Sequence, residues 1–374
     1  MRIYLDNSAT TNTDKRVVES MLPYMTEVYG NASSLHGFGR EAAAAVDEAR
    51  AKIAAVFNAK PQEIYVTSGG TESDNWALRG VAHANAKEGK HIITTAVEHP
   101  AIMQTCKQLE KEGFSITYLP TGTDGRIRLE DLKAAVRDDT ILVSVMFANN
   151  ETGAIMPIKE IGAFCKENGI IFHTDAVQAI SSIKIDVDEY GIDLLSLSAH
   201  KFHGPKGIGL LYIRNGVKID RLMFGGHQER AYRPGTTNTP GIVGMAKALE
   251  LCVAEMDENN AKIKAMRDRF IERVQKEIPD CRLNGGTEHR LVSNANFSFD
   301  YIEGESILMT LDLNGIAVSS GSACSSGSLE PSYVIMAAGA TIEEAHSSIR
   351  FSFGKDNTME ETEQIIRATT ETVA

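Results

Sequence analysis

The segment "SLSAHKFHGPKGIG" (196–209) places Lys201 at the end of an apolar run and ahead of a cluster of glycines. A lysine amine becomes a nucleophile when burial or nearby positive charge lowers its pKa. Small neighbours leave space beside this one, and Ser198 and His200 can hydrogen-bond an anion. Other apolar runs end in comparable residues. "VTSGGTES" (66–73) leaves a strand-like stretch and enters a helical one. There Gly69 and Gly70 let the backbone approach a ligand, the first helical N–H groups favour an anion, and Thr71 adds a hydroxyl. "FHTDAVQA" (172–179) ends in Asp175, a poorly solvated carboxylate that calls for a cationic partner, with Gln178 three residues on. "VEHPA" (97–101) puts His99 after another apolar run.

Each of these has a plainer reading taken singly: a solvated lysine, a glycine turn with a threonine cap, an N-cap aspartate, a surface glutamine, a helix-start histidine. Jointly they fit one ligand. An amine for an aldehyde, a cup for a phosphate and an acid for a pyridine nitrogen are what pyridoxal phosphate requires of a protein. Two further segments add chemistry. Cys324 lies in "VSSGSACSSGSLEPS" (318–332), a stretch with little apolar surface to bury, which suits an exposed, reactive thiol. In "SSIRFSFG" (347–354), strand alternation sets Ile349, Phe351 and Phe353 on one face and Arg350 on the other, beside Ser348 and Ser352. An arginine so placed suits bidentate capture of a carboxylate, or else a structural ion pair.

The elements that must position these residues follow from the pattern. Short continuous apolar runs (63–68, 91–96, 140–148, 170–176, 193–198 and 207–213) alternate with helical stretches, which predicts a mostly parallel sheet covered on both faces. In such a sheet ligands gather at the C-terminal strand ends. From about Val243 the spacing predicts one long helix to Glu277, then strands around 291–300 and 347–354 with helices from Glu303 and at the C-terminus. The expected division is a large domain over 15–250 and a smaller α+β unit of 1–14 with 251–374.

Composition excludes several function classes. The chain has 374 residues, 43% hydrophobic and 24% charged, and a net charge of -12. An acidic balance disfavours direct nucleic-acid binding. No apolar run is long enough for a membrane span, and "MRIYLDNSATT" is unlike a secretory signal, so the expected location is cytoplasmic. Five cysteines without a CxxC pair give neither a metal site nor a disulfide framework, and no GxGxxG follows the first strand, as a dinucleotide-binding dehydrogenase would need.

The motifs "YLDNSATT", "GNASSLH", "TSGGTES", "VEHPA", "NNETG", "HTDAVQA", "SAHKFHGPKGIG", "RPGT", "SSGSACSSGSLEPS" and "SIRFSFG" run in order from residue 4 to 354. As a set they resemble the cysteine desulfurases of the nitrogen-fixation and iron–sulfur-cluster class. The resemblance implies an α/β fold of the aspartate-aminotransferase type (fold type I), a pyridoxal 5'-phosphate cofactor, and a homodimer with its active sites at the subunit interface. It implies Lys201 as the Schiff-base lysine, with Gly70, Thr71, Ser198, His200 and the partner's Thr236 holding the phosphate. Asp175 would pair with the ring nitrogen, Gln178 with the ring hydroxyl, and His99 would stack on the ring and assist proton transfer. Asn149 would lie beside cofactor and substrate; Arg350, Asn31 and Asn149 would hold the carboxylate of L-cysteine. Cys324 would accept the sulfur as a persulfide for transfer to an acceptor protein. A selenocysteine lyase, an aminotransferase and a non-catalytic sulfur-carrier platform are the competing readings; a thiol nucleophile at Cys324 separates the first assignment from the aminotransferase. Trp76 and His227 stand where the family pattern leads one to expect an aliphatic residue and no histidine; the first is expected to be a packing detail, and the sequence explains nothing about the second.

Overall fold

The computed structural model describes residues 2–320 and 330–373. Its main sheet comprises β2 (Ile64–Thr67), β3 (His91–Thr95), β4 (Ser115–Leu119), β5 (Thr140–Ser144), β6 (Ile171–Asp175), β7 (Leu194–Ser198) and β8 (Gly209–Ile213). The spatial order is β2-β8-β7-β6-β5-β3-β4. β8 runs antiparallel to both its neighbours, and the remaining pairs are parallel. Every strand except β8 therefore ends at the same edge of the sheet. Thr67, Thr95, Ser144, Asp175 and Ser198 are thereby brought to one line.

The continuous apolar runs have a direct cause: both faces are covered. The helices in chain order are α1 (Lys15–Met21), α2 (Pro23–Thr26), α3 (Gly37–Val56), α4 (Gly70–Ala84), α5 (Pro100–Lys111), α6 (Leu129–Ala135), α7 (Ile158–Asn168), α8 (Thr239–Ala254), α9 (Met256–Glu277), α10 (Gly304–Leu313), α11 (Tyr333–Ala337), α12 (Ile342–His346) and α13 (Met359–Val373). Ile93, Val143, Phe172, Leu195 and Leu210 pack with residues of α3, α7 and α8. Their alternates Ile92, Leu142, Leu194 and Leu211 pack with α4 and α5, including Trp76, Val81, Ile102 and Leu109. Trp76 is buried, its Nε1 donating to the Asp220 carbonyl at 2.9 Å, so it is a packing residue as expected.

A second, antiparallel sheet holds β9 (Cys281–Leu283), β10 (Asn294–Phe299), β12 (Ser319–Ser320) and β13 (Ser348–Ser352) in the order β12-β13-β10-β9. One face carries Ala295, Phe297, Phe299, Ile349 and Phe351 into a core with Phe270 of α9 and Ile366 of α13. The opposite face carries Asn294, Asn296, Ser298, Ser348, Arg350 and Ser352, all buried. It meets the main unit through polar contacts: Asn294 and Asn296 both donate to the Glu151 carbonyl. β1 (Ile3–Tyr4) pairs in parallel with β11 (Ile316–Ala317).

The long helix expected over 243–277 is two helices. The chain leaves helical geometry at Glu255 (φ -100, ψ 2), whose carboxylate pairs with Arg16 at 2.6 Å. The break has a packing reason. Met245 and Leu249 of α8 belong to the core of the main sheet, whereas Met266, Phe270 and Val274 of α9 belong to that of the second.

Candidate active site

The strand ends enclose a cavity of about 490 Å³. His99, Asp175, Gln178, Ser198, His200 and Lys201 lie on its wall, with Gly70 and Thr71 at one end. Asp175 and Ser198 are the last residues of β6 and β7, and the others are delivered by the turns or helix starts that follow strands. Lys201 closes a single 3-10 turn, Ala199–Lys201, directly after β7. Its amine donates to the carbonyls of Ser8 (2.5 Å) and Ala9 (2.8 Å), and the Gln178 amide also donates to Ser8 O, at 2.9 Å. The N-terminal segment is thus a strap across the cavity, held by the Thr11 N–H and hydroxyl, both donating to the His200 carbonyl.

At the α4 end, the N–H groups of Gly70, Thr71 and Glu72 belong to the first turn, which has no intrahelical acceptors and presents partial positive charge. The turn before it needs glycine. Gly69 has φ +155, and a Cβ on Gly70 would stand 2.9 Å from a methyl of Val177. A Cβ on Gly209 would stand 2.7 Å from Gly69 Cα, so β8 carries no side chain where the turn crosses it. Burial and the cations Lys201 and Lys206 lower the His200 pKa to about 4, so its ring is neutral at pH 7. This end offers N–H and hydroxyl donors to an anion.

The sheet side of the cavity is acidic. Asp175 is 6% exposed and accepts the Val177 N–H at 2.9 Å. Burial raises its pKa, against the pull of His99 and Lys201. His99 caps α5: its Nδ1 accepts the Ala101 N–H at 3.1 Å, which places the neutral ring's proton on Nε2. Burial lowers its pKa, opposed by Asp175 and assisted by Lys201. Behind it, Glu98 accepts from Met146 N and Thr95 Oγ1, and burial lifts its pKa to about 8. A ligand with an anion at one end and a cationic ring nitrogen at the other matches this donor and acceptor set.

The structure does not bring every expected site residue to this wall. The Asn149 side chain is used by the fold: its Nδ2 donates to Val97 O, and its Oδ1 accepts from Glu151 N and Thr152 N. The neighbouring Asn150 lines the cavity instead. Arg350 is 1% exposed, bonded to Asp6 Oδ1 at 2.9 Å and Asn150 O at 3.0 Å, with its Nε without a hydrogen-bond partner among the described residues. Asn31 is exposed and its Oδ1 accepts the Ser33 N–H; Thr236 is also exposed. Just before Thr236, Arg233 pairs with Glu72 of the α4 first turn at 2.8 Å. His227 lies in the exposed segment that precedes this turn, and the structure assigns it no task. Cys324 lies outside the described residues.

Sequence reasoning missed Ser8, Ala9, Asn150, Met146 and Asp74 on or over the wall. The Ser8 and Ala9 carbonyls come from a segment almost two hundred residues from Lys201, and no local pattern announces that pairing. Asp74 has a signal, an acid facing the apolar side of an amphipathic helix.

The aminotransferase class-V family matches residues 3–365. The cysteine desulfurase IscS of Methanosarcina thermophila is 55% identical over 371 residues, covering 99% of this chain and 92% of that protein. The IscS of Dictyoglomus turgidum is 55% identical over 359 residues, covering 96% and 91%. Among solved structures, a NifS-like protein superposes with a TM-score of 0.94 at 39% identity, covering 99% of each chain. SspA, solved in complex with cysteine, gives 0.84 at 35% identity, covering 96% of this chain and 100% of its own. On these similarities the chain belongs to the aminotransferase class-V family and, within it, to the cysteine desulfurases.

Proposed function

We propose that this cysteine desulfurase binds pyridoxal 5'-phosphate in the strand-end cavity, releases L-alanine from L-cysteine, and collects the sulfur as a persulfide on Cys324. The carrying observation is the convergence of Lys201, His99 and Asp175 on one cavity that the first turn of α4 closes. Gly70, Thr71, Ser198 and His200 would hold the phosphate, Asp175 the ring nitrogen, Gln178 the ring hydroxyl and His99 the ring face. When bound, the cofactor supplies the electron sink that lets the Cα proton leave and the carbon–sulfur bond break. Lys201 is the amine for the aldehyde and the base for the Cα proton; the two carbonyls that hold it fix its reach. His99 holds a proton at Nε2, where it can be passed on. Arg350, Asn31 and Asn149 would bind the substrate carboxylate, which requires the Arg350 guanidinium to share or exchange Asp6 and the Asn149 amide to leave its bonds to Val97, Glu151 and Thr152.

In the sulfur step, the Cys324 thiolate attacks the substrate sulfur. An S–S bond forms, the C–S bond breaks, and the carbon fragment keeps the electron pair, takes up a proton and leaves as alanine. Cys106, Cys165 and Cys252 suit this role poorly, because burial pushes each thiol up to about 12. The persulfide would pass to a sulfur-acceptor protein, serving iron–sulfur cluster assembly or thiolation.

A homodimer is part of the reading. Leu22, Met25, Tyr29, Leu35 and Phe38 are exposed along α1 to α3, Leu35 at 91%, as a surface awaiting a partner. The partner's Thr236 would complete the phosphate end. No helix among the described residues is long and apolar enough to cross a membrane, and we place the enzyme in the cytoplasm. The test is alanine release from L-cysteine under reducing conditions. Wild type should release it and Cys324→Ala almost none; no alanine from pyridoxal-phosphate-loaded wild type contradicts the proposal.

A further inference from the structure

Asp74 lies in the second turn of α4 and is 1% exposed, yet it belongs to the cavity wall. The sheet beneath it explains its surroundings. Leu142, Ile171, Leu194 and Leu211 face α4, so two residues further along the same strands Ser144, His173 and Ser196 face it too. They form a polar stripe across three strands: His173 Nδ1 meets Ser144 Oγ at 2.8 Å, and His173 Nε2 meets Ser196 Oγ at 3.0 Å. Asp175 lies two residues beyond His173 on the same face, and Ser196 is its register partner on β7. Asp74 descends from the helix onto this stripe. Among the described residues its Oδ1 has no hydrogen-bond partner, and it stands 3.7 Å from His173 Nε2.

Both carboxyls are almost wholly buried on one wall, where each opposes the other's ionisation, so a single charge is favoured over two. The geometry decides which one holds the proton. Asp175 has a backbone donor in Val177 and faces His99 and Lys201. Asp74 faces Asp175 and, from the turn between β3 and α5, Glu98; the Ser196 hydroxyl beside it favours its charged form but is outweighed by burial and the neighbouring acids, and among the described residues its basic neighbour is His173. Burial keeps that imidazole neutral, with a pKa lowered to about 3, so it supplies no positive charge.

We infer that Asp74 is a positioning residue for Asp175: as the proton-bearing, uncharged member of the pair it leaves Asp175 as the single negative charge facing the cofactor's ring nitrogen. The inference rests on the reading above that Asp175 serves that nitrogen. Its consequence is that an amide can stand in for Asp74 and a small apolar residue cannot, because Ala would leave Ser196 uncovered and the cavity floor open.

The test uses the full-length holoenzyme. A buried protonated carboxyl has its own infrared band, separate from that of a carboxylate. The band difference between wild type and Asp74→Asn at neutral pH should show loss of one protonated carboxyl, with the Glu98 contribution present in both. The pH titration of the cofactor's visible absorption should superimpose for these two proteins. Asp74→Ala should release cofactor on the order of ten-fold more readily, with Asp74→Asn retaining it as wild type does. A titration displaced by about one pH unit or more in Asp74→Asn, or no protonated carboxyl lost, overturns the inference. A purely structural Asp74 would weaken folding in both variants and leave the infrared difference empty. Failure of wild type to develop any visible absorption with pyridoxal phosphate would count instead against the function proposed above, since the infrared readout is made on Asp74 itself.

Discussion

The two ends of the proposed site are built by different rules. The proposed cofactor end comes from one sheet: Asp175 and Ser198 end strands at one edge, and Lys201, His99 and the α4 turn follow strands that stop at the same edge. Their geometry is fixed by short turns on a buried scaffold, the arrangement that preorganised electrostatics needs. The substrate end is drawn from elsewhere. Arg350 sits on β13 of the second sheet and reaches across a polar seam to Asn150, with Asp6 of the N-terminal strap as its counter-ion. Cys324 follows β12 of that same sheet by four residues in sequence. On the proposed assignment one buried sheet would hold the cofactor, while the arginine that would bind the substrate carboxylate comes from the other sheet.

Substitutions at the two ends should differ in kind and in size. Lys201→Ala should remove both the visible absorption of the holoenzyme and at least about 10³-fold of alanine release, the scale of losing a covalent group of the catalytic unit. Asp175→Asn should cost roughly 10²–10³-fold through the electrostatics of the ring nitrogen while the protein still folds. Arg350→Lys should leave the absorption spectrum intact and raise KM for L-cysteine by roughly 10-fold or more, because a point charge cannot replace a planar fork. A spectral change in Arg350→Lys would show that the two ends are not separate.

The smallest effect concerns stability. Glu98 keeps its proton to about 8 and Glu151 to about 7, both raised first by burial. The unfolded chain releases those protons near pH 4.3. Between these values the folded protein binds more protons than the unfolded one, so these groups make stability fall as pH rises from about 5 to 8, and contribute nothing below about 4. Glu98→Gln should flatten that fall by on the order of 1 kcal/mol per pH unit, read as melting temperature against pH. An unchanged slope would mean Glu98 is ionised in the folded protein.

Sequence picked out the residues that line the strand-end cavity because their signals are local. A charged or small polar residue directly after an apolar run is unusual, and Lys201, Asp175 and His99 all show it. The same reasoning gave the parallel strands and, from the alternation in "SSIRFSFG", the buried apolar face of β13. It gave much less where the contact is distant in the chain. Nothing near Arg350 names Asp6 as its counter-ion, and nothing near Asn149 shows that its amide caps the turn at Thr152 while Asn150 turns to the cavity. The single helix read over 243–277 failed for a related reason. Helical periodicity does not say which core each face serves, and at Glu255 the answer changes.

The measurement that tests the account most directly is a single turnover without reductant. Pyridoxal-phosphate-loaded wild type is mixed with L-cysteine, alanine is counted per site, and the peptide containing Cys324 is weighed. One alanine per site and a Cys324 peptide heavier by one sulfur atom are expected. Alanine released with that peptide unchanged, or an added sulfur on Cys106, Cys165, Cys252 or Cys281 instead, would contradict it.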